Sequence, residues 1–131
     1  MSKGYLLDTN IAIAILVNEA SVVEFTQQAM RDKVKIFFSV VSECEVIAGL
    51  TPAEQLRLEK LFTSRRSIPV TSQIAKAAGR IRREQREKGR KLKTPDALII
   101  ATALVNELSL LSRDSDMRFV QDELGIPIIQ I

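Results

Sequence analysis

The 131-residue chain has no histidine, no tryptophan and one cysteine, Cys44. The missing histidine excludes Ser-His-Asp and Cys-His hydrolases, histidine-ligated zinc and the commonest general base. A single cysteine allows neither an internal disulfide nor a cysteine-cluster metal site, so Cys44 reads as a small hydrophobe of the core. Aromatics are scarce, five phenylalanines and one tyrosine, which leaves little for ring stacking on a ligand. No apolar run approaches the ~20 residues that span a bilayer. Leu6-Leu7 runs straight into Asp8 and forms no signal-peptide core. A cytoplasmic protein without membrane contact is expected, and any hydrolytic chemistry falls to carboxylates and metal.

What is present folds. Charged residues make up 27% and hydrophobic ones 46%, and a chain of this length suits one domain, residues 1–131, with a real core. The formal net charge of +3 is unevenly spread. Between Arg80 and Lys93 stand eight cations against Glu84 and Glu87, a local +6 that leaves −3 for the remainder. A solvated helix face explains such a run as readily as a phosphate-binding patch, which holds its ligand by displacing counterions.

Apolar runs alternate with amphipathic ones, without repeats or linkers. Tyr5-Leu6-Leu7 reads as a buried first strand, followed by an apolar helix from Ile11 to Val17. A second helix is expected from Ser21 to Arg31, with Ser21 as cap and Glu24 at capping-box spacing. Lys35 to Ser39 reads as a strand, Val40 to Leu50 as a helix closing at Gly49, and Thr51-Pro52 as the start of a helix to Phe62. Ser67 to Val70 suits an edge strand, because proline cannot donate to a ladder. A long helix follows from Thr71 to Glu87, ended by Gly89. A buried helix then spans Ala97 to Glu107 and opens at Thr94-Pro95-Asp96. The pattern closes with a strand from Leu108 to Ser112, a helix from Asp114 to Leu124 and a strand from Ile126 to Ile129. Strand–helix alternation implies an α/β fold: a three-layer α/β/α sandwich around a mostly parallel sheet of four to five strands.

Four acidic residues, Asp8, Glu45, Asp96 and Asp114, sit where apolar runs meet helix starts. In an open α/β sheet the carboxyl ends of the strands line one edge, where such folds place their sites. Taken singly, each acid has a structural explanation. Asp8 and Asp114 suit helix caps, Asp96 complements a helix dipole, and Glu45 stands at capping-box spacing from Ser42. Together, with no fixed-spacing lysine or arginine to pair them all, they point to a hard divalent ion. Oxygen-only ligands suit Mg²⁺ or Mn²⁺, and ions held by carboxylates serve phosphodiester hydrolysis.

The same stretches resemble the PIN-domain nucleases, and within them the VapC-type toxins of bacterial and archaeal toxin–antitoxin pairs. The likeness covers nearly the whole chain. It rests on Leu6-Leu7-Asp8-Thr9-Asn10, the stretch from Ser39 to Gly49, Lys88-Gly89-Arg90 with the block Thr94 to Leu104, and Leu111 to Asp116. Four blocks in order make the resemblance specific. It assigns metal-site roles to Asp8, Glu45, Asp96 and Asp114. Glu45 is preferred over Glu43, which is then a solvent-facing first-turn charge, and Asp114 over Asp116. Asn10, Ser112 and Asp116 become groups that orient carboxylates or waters from behind. Where Ser112 stands the family more often has threonine, which keeps the hydroxyl.

The resemblance implies a Mg²⁺- or Mn²⁺-dependent endoribonuclease, restrained by a cognate VapB-type antitoxin and assembled as a homodimer. The apolar faces of Ile11 to Val17 and Val40 to Leu50 exceed what one sheet face needs. Arg82, Arg83, Arg86, Arg90 and Lys91 are the candidates for holding the RNA backbone. Few aromatics favour single-stranded loops of a structured RNA over base stacking. A Mg²⁺-dependent phosphatase with Asp8 as nucleophile would want a second aspartate at the position of Asn10. A receiver-like domain would want paired acids after the first strand and a lysine after a late one. A catalytically weak PIN-like RNA-binding module would not need all four acids.

Overall fold

A computed structural model describes residues 2–63, 66–114 and 117–131. The runs with no polar interruption become short parallel strands: β1 (Tyr5–Leu7), β2 (Ile36–Ser39), β3 (Ser67–Ile68), β4 (Ser109–Leu111) and β5 (Ile128–Ile129). They form one five-stranded sheet in the order β3-β2-β1-β4-β5. Every described pair is parallel, with Leu6 opposite Leu110 and Leu7 opposite Leu111. Among the described residues there are seven α-helices: α1 (Thr9–Leu16), α2 (Ala20–Arg31), α3 (Val40–Ala48), α4 (Pro52–Leu61), α5 (Ser72–Glu87), α6 (Thr94–Val105) and α7 (Arg118–Leu124). The expected sandwich is the one found, and Ser67-Ile68 is at an edge.

Side chains alternate across the central strands with the period of two that a pleat imposes. Leu6 and Leu110 face one core, with Ile74 and Ile81 of α5 and Ile99 and Ile100 of α6. Leu7, Leu111 and Phe38 face the other, with Ile11 and Leu16 of α1, Val22 of α2 and Leu58 of α4. Each fully buried side chain of this size contributes about 1.5–3 kcal/mol, so the two cores clamp the sheet from both sides. Before β1 the chain passes close to β2. Gly4 has φ +150°, and a Cβ there would stand 2.6 Å from the Lys35 carbonyl oxygen, a position only glycine fills without displacement.

Several local expectations are corrected. The first helix begins at Thr9, two residues earlier than expected, because Asp8 caps it: Thr9 N–H donates to Asp8 Oδ1 at 2.8 Å. Ser21 is inside α2, whose cap position is Glu19. Asn18, in the left-handed region at φ 57°, turns the chain there and starts the helix early. Thr94 is likewise helical, with Pro95 in the first turn and Lys93 at the cap. The last helix starts at Arg118, not Asp114, with residues 115 and 116 outside the described set. Cys44 is exposed, on the side of α3 away from buried Ser42 and Val46. Thr51 and Thr71 do start helices as expected, and Glu54 accepts from Thr51 N–H at 3.2 Å.

The order of strands places a topological switch beside β1. The chain moves from β1 to β2 on one side and later returns to β4 on the other, which opens a crevice at their carboxyl ends. Asp8 follows β1, and Ser112 to Asp114 follow β4.

Candidate active site

Asp8 is the anchor of the crevice. Its backbone N–H donates to the Leu111 carbonyl at 2.9 Å, so the residue is held where β1 and β4 end. The side chain is 5% exposed. Its two oxygens have separate tasks: Oδ1 caps α1, and Oδ2 accepts from the Ser112 hydroxyl at 2.7 Å. Ser112, wholly buried, also accepts from Asp114 N–H at 3.1 Å. One hydroxyl therefore ties the two acids together. Asn10 Oδ1 accepts from Arg113 N–H at 3.4 Å, which fastens the start of α1 to the same loop.

Glu45 comes from α3. Its capping-box reading fails, because the cap of α3 is Ser39, which accepts from Val41 N–H at 3.1 Å. Glu45 Oε1 accepts instead from the Thr9 hydroxyl at 2.7 Å, and that hydroxyl lies 3.1 Å from Ser42 Oγ. A carboxylate only accepts, so the Thr9 proton goes to Glu45 and the Ser42 hydroxyl donates to Thr9. Thr9, the residue next to Asp8, thus joins Glu45 to the start of α1, a link that no local pattern announces. Glu43 is not solvent-facing: it is half-buried and accepts a hydrogen bond from Ser67 on β3.

Asp96 is in the first turn of α6 and half-buried. Burial pushes its carboxyl above the ordinary range, the charges of Asp8, Glu45 and Asp114 push it further, and Lys93 opposes them. Asp8 is raised too, first by burial and then by Glu45 and Asp114, against the hydrogen bonds from Ser112 and Thr9. Four acids from four stretches of chain therefore share one field. None of Asp8, Glu45 and Asp96 forms an ion pair among the described residues. Asp116 lies outside the described residues.

The donor chemistry fits a hard divalent ion: oxygens only, one of them buried and aimed by Ser112, in a field that a cation relieves. Among the described residues no three acidic groups close on a common ligating point. An ion such as Mg²⁺ keeps several waters and takes few carboxylates directly. Ser112→Ala removes the donor to Asp8 and the acceptor for Asp114 N–H in one step. The expected cost is about 1–3 kcal/mol in a urea melt, with the Asp8 carboxyl titrating higher still.

Beside the acids lies a groove of about 480 Å³, lined by Asp96 and Asp114 together with Arg90, Lys91, Lys93 and Phe119. A second groove, about 380 Å³, shares its Arg90-Lys91-Leu92 wall and is lined by Arg82 and Arg86. Of the expected phosphate-holding residues, Arg82, Arg83, Arg86 and Lys91 are exposed. Arg90 is exposed too, but its guanidinium is engaged within the protein: it pairs with Glu123 of α7, donates to Gln85 Oε1 at 2.9 Å and stands over the Phe119 ring. Lys88 joins the same Glu123, whose carboxyl is held down to about 2 by Arg90, Lys88 and Gln85. Lys93, not singled out from the sequence, borders the acidic groove.

The sequence matches the PIN domain family over residues 5–123. Ribonuclease VapC10 of Mycobacterium tuberculosis is 34% identical over 105 residues, covering 80% of this chain and 78% of the relative. Among solved structures, a toxin-antitoxin complex from Klebsiella pneumoniae aligns with TM-score 0.71 at 27% identity, over 96% of each chain. VapBC2 from Rickettsia felis, bound to a DNA fragment from its promoter, aligns with TM-score 0.80 at 17% identity, over 97% of this chain and 98% of that one. The last likeness is one of fold.

Proposed function

The chain belongs to the PIN-domain family, and from that premise we propose that it is an endoribonuclease, the toxin of a toxin–antitoxin pair. It hydrolyses RNA phosphodiester bonds with Mg²⁺ or Mn²⁺ held by Asp8, Glu45, Asp96 and Asp114. The observation that carries this reading is the shared field: the Asp96 carboxyl is raised first by burial and then by the charges of the other three acids, each from a different stretch of chain. Bound there, a divalent ion supplies charge stabilisation for the phosphoryl oxygens and a lowered pKa for water.

The chain's own groups do the rest. Asp8 is held by Ser112 and the α1 backbone, so its free lone pairs keep one direction. Thr9 orients Glu45, and Ser112 orients the Asp114 backbone. Asn10 fixes the loop that carries Asp114. The basic segment from Arg82 to Lys91 attracts the polyanion. Lys93, beside Asp96, offsets charge where a phosphate meets the carboxylates.

A VapB-type antitoxin is the partner, and the cytoplasm, where RNA is available, is the place of action. Among the described residues no single helix is long and apolar enough to cross a membrane. A homodimer is supported by apolar side chains left exposed on adjacent helices: Ile13 of α1 with Val17 at its C-terminal cap, Ile47 of α3 and Leu104 of α6. To test the reading, end-labelled structured RNAs are incubated with the purified protein in Mg²⁺, with and without the antitoxin. Discrete internal cuts that stop when the antitoxin is added are expected. Absence of cleavage, or trimming from the ends only, would contradict an endonuclease.

A further inference from the structure

Gly79 occupies the middle of α5, where glycine is the poorest helix former short of proline. The fold does not require it. Its φ is outside the left-handed region, and a Cβ built there meets no atom within 4 Å. Close packing, the usual reason for a helical glycine, is therefore absent, and the open space is the groove that Gly79 lines. Arg82 and Arg86 follow at i+3 and i+7, on the same face of the helix. Opposite them is the Arg90-Lys91-Leu92 segment, braced by Arg82 Nε, which donates to the Leu92 carbonyl at 3.0 Å. Arg90 is spent on Glu123. Arg86 and Lys91 have no ion pair among the described residues. The result is a cationic trough with a floor of bare backbone, which shares its Arg90-Lys91-Leu92 wall with the groove that borders Asp96 and Asp114.

We propose that this trough, floored by Gly79 and walled by Arg82, Arg86 and Lys91, seats the RNA backbone at phosphates flanking the cleaved one. The inference rests on the endoribonuclease reading and deepens it. A chain lying against the acids is led by the shared wall into the trough. One phosphate per nucleotide matches a row of guanidinium and ammonium groups, and a missing side chain leaves depth for a ribose-phosphate strand. Arg83, on α5 but not on the trough, is not part of the seat.

The test uses cleavage-silent Asp96→Asn protein and fluorescein-labelled single-stranded RNAs of about 4 and about 16 nucleotides. Gly79→Leu in that background fills the trough. Binding of the long RNA is expected to weaken about tenfold, binding of the short one less than about twofold. The melting temperature should rise by about 3 °C, because leucine is the better helix former. Arg86→Gln should lower the salt slope for the long RNA by about 0.7, the value for one phosphate contact. Equal losses at both lengths, no loss for the long RNA, or an unchanged salt slope would overturn the seat. So would a loss confined to binding of the antitoxin, which would assign the trough to an acidic polypeptide. Wild-type protein that cuts RNA while Gly79→Leu binds like its parent removes the seat alone. Wild-type protein that binds RNA length-dependently without cutting it removes the nuclease reading alone.

Discussion

Asp96→Asn is expected to lower RNA cleavage by about 10²–10³-fold, the cost of removing one preorganised charge contact from a transition state, while raising thermal stability. Two effects oppose each other at this position. A carboxylate in the first turn of α6 complements the helix dipole, and Lys93 adds to that. Burial and the like charges of Asp8, Glu45 and Asp114 act in the other direction, and the raised carboxyl shows that they win. Because the folded state binds this proton more tightly than the unfolded chain, stability falls as pH rises from the ordinary aspartate range through the raised value. Above that window the penalty is constant. Asparagine removes the penalty at neutral pH, so the melting temperature should rise by about 1–3 °C. The difference should shrink once the pH drops below the window. Rate and melting temperature measured on one preparation check both. A variant that loses activity by unfolding would move the two in the same direction.

Mn²⁺ or Mg²⁺ should stabilise the wild-type protein by binding the folded cluster and not the unfolded chain. At an ion concentration about a hundred times its dissociation constant the gain is about 2.7 kcal/mol, on the order of 10 °C in melting temperature for a domain of this size. The effect should fade at acid pH, as the raised Asp8 and Asp96 carboxyls protonate. Asp8→Asn should blunt it, because Asp8 Oδ2 is the oxygen that Ser112 aims. Asparagine at position 8 still accepts from Thr9 N–H and still caps α1, so the fold survives the substitution. Thermal melts with and without chelator read the effect directly, and no RNA is needed. A shift equal in wild type and Asp8→Asn would place the ion elsewhere.

Much of this is legible in the sequence because the central strands carry paired leucines. Leu6-Leu7 and Leu110-Leu111 face a core on both sides, so they read as uninterrupted runs, and the acids just beyond them are at strand ends by necessity. Asp96 was legible for a related reason: a proline fixed the helix start that carries it. Long-range partners were not legible. Thr9 meets Glu45 across 36 positions and Arg90 meets Glu123 across 33, and no local pattern encodes either pair. A charge run makes Arg86, Arg90 and Lys91 look alike, yet only Arg90 is captured by α7. The half-buried place of Glu43 is not legible locally, because its partner, Ser67, arrives on an edge strand that the helix pattern says nothing about. The start of α2 depended on the left-handed turn at Asn18, which competes with a good cap signal at Ser21 and wins. Gly79 is silent in the sequence, since a lone glycine in a helical pattern marks only a weak spot; the open space above it is a property of the fold.

The most direct measurement follows one structured RNA through three states of the same sample: protein with Mg²⁺, protein after chelation, and protein with Mn²⁺ restored. Internal cleavage should proceed in the first, stop in the second and resume in the third, with Asp8→Asn silent throughout. Cleavage that persists in the chelated sample, or that Asp8→Asn performs at the wild-type rate, would contradict an ion-dependent centre built from these carboxylates.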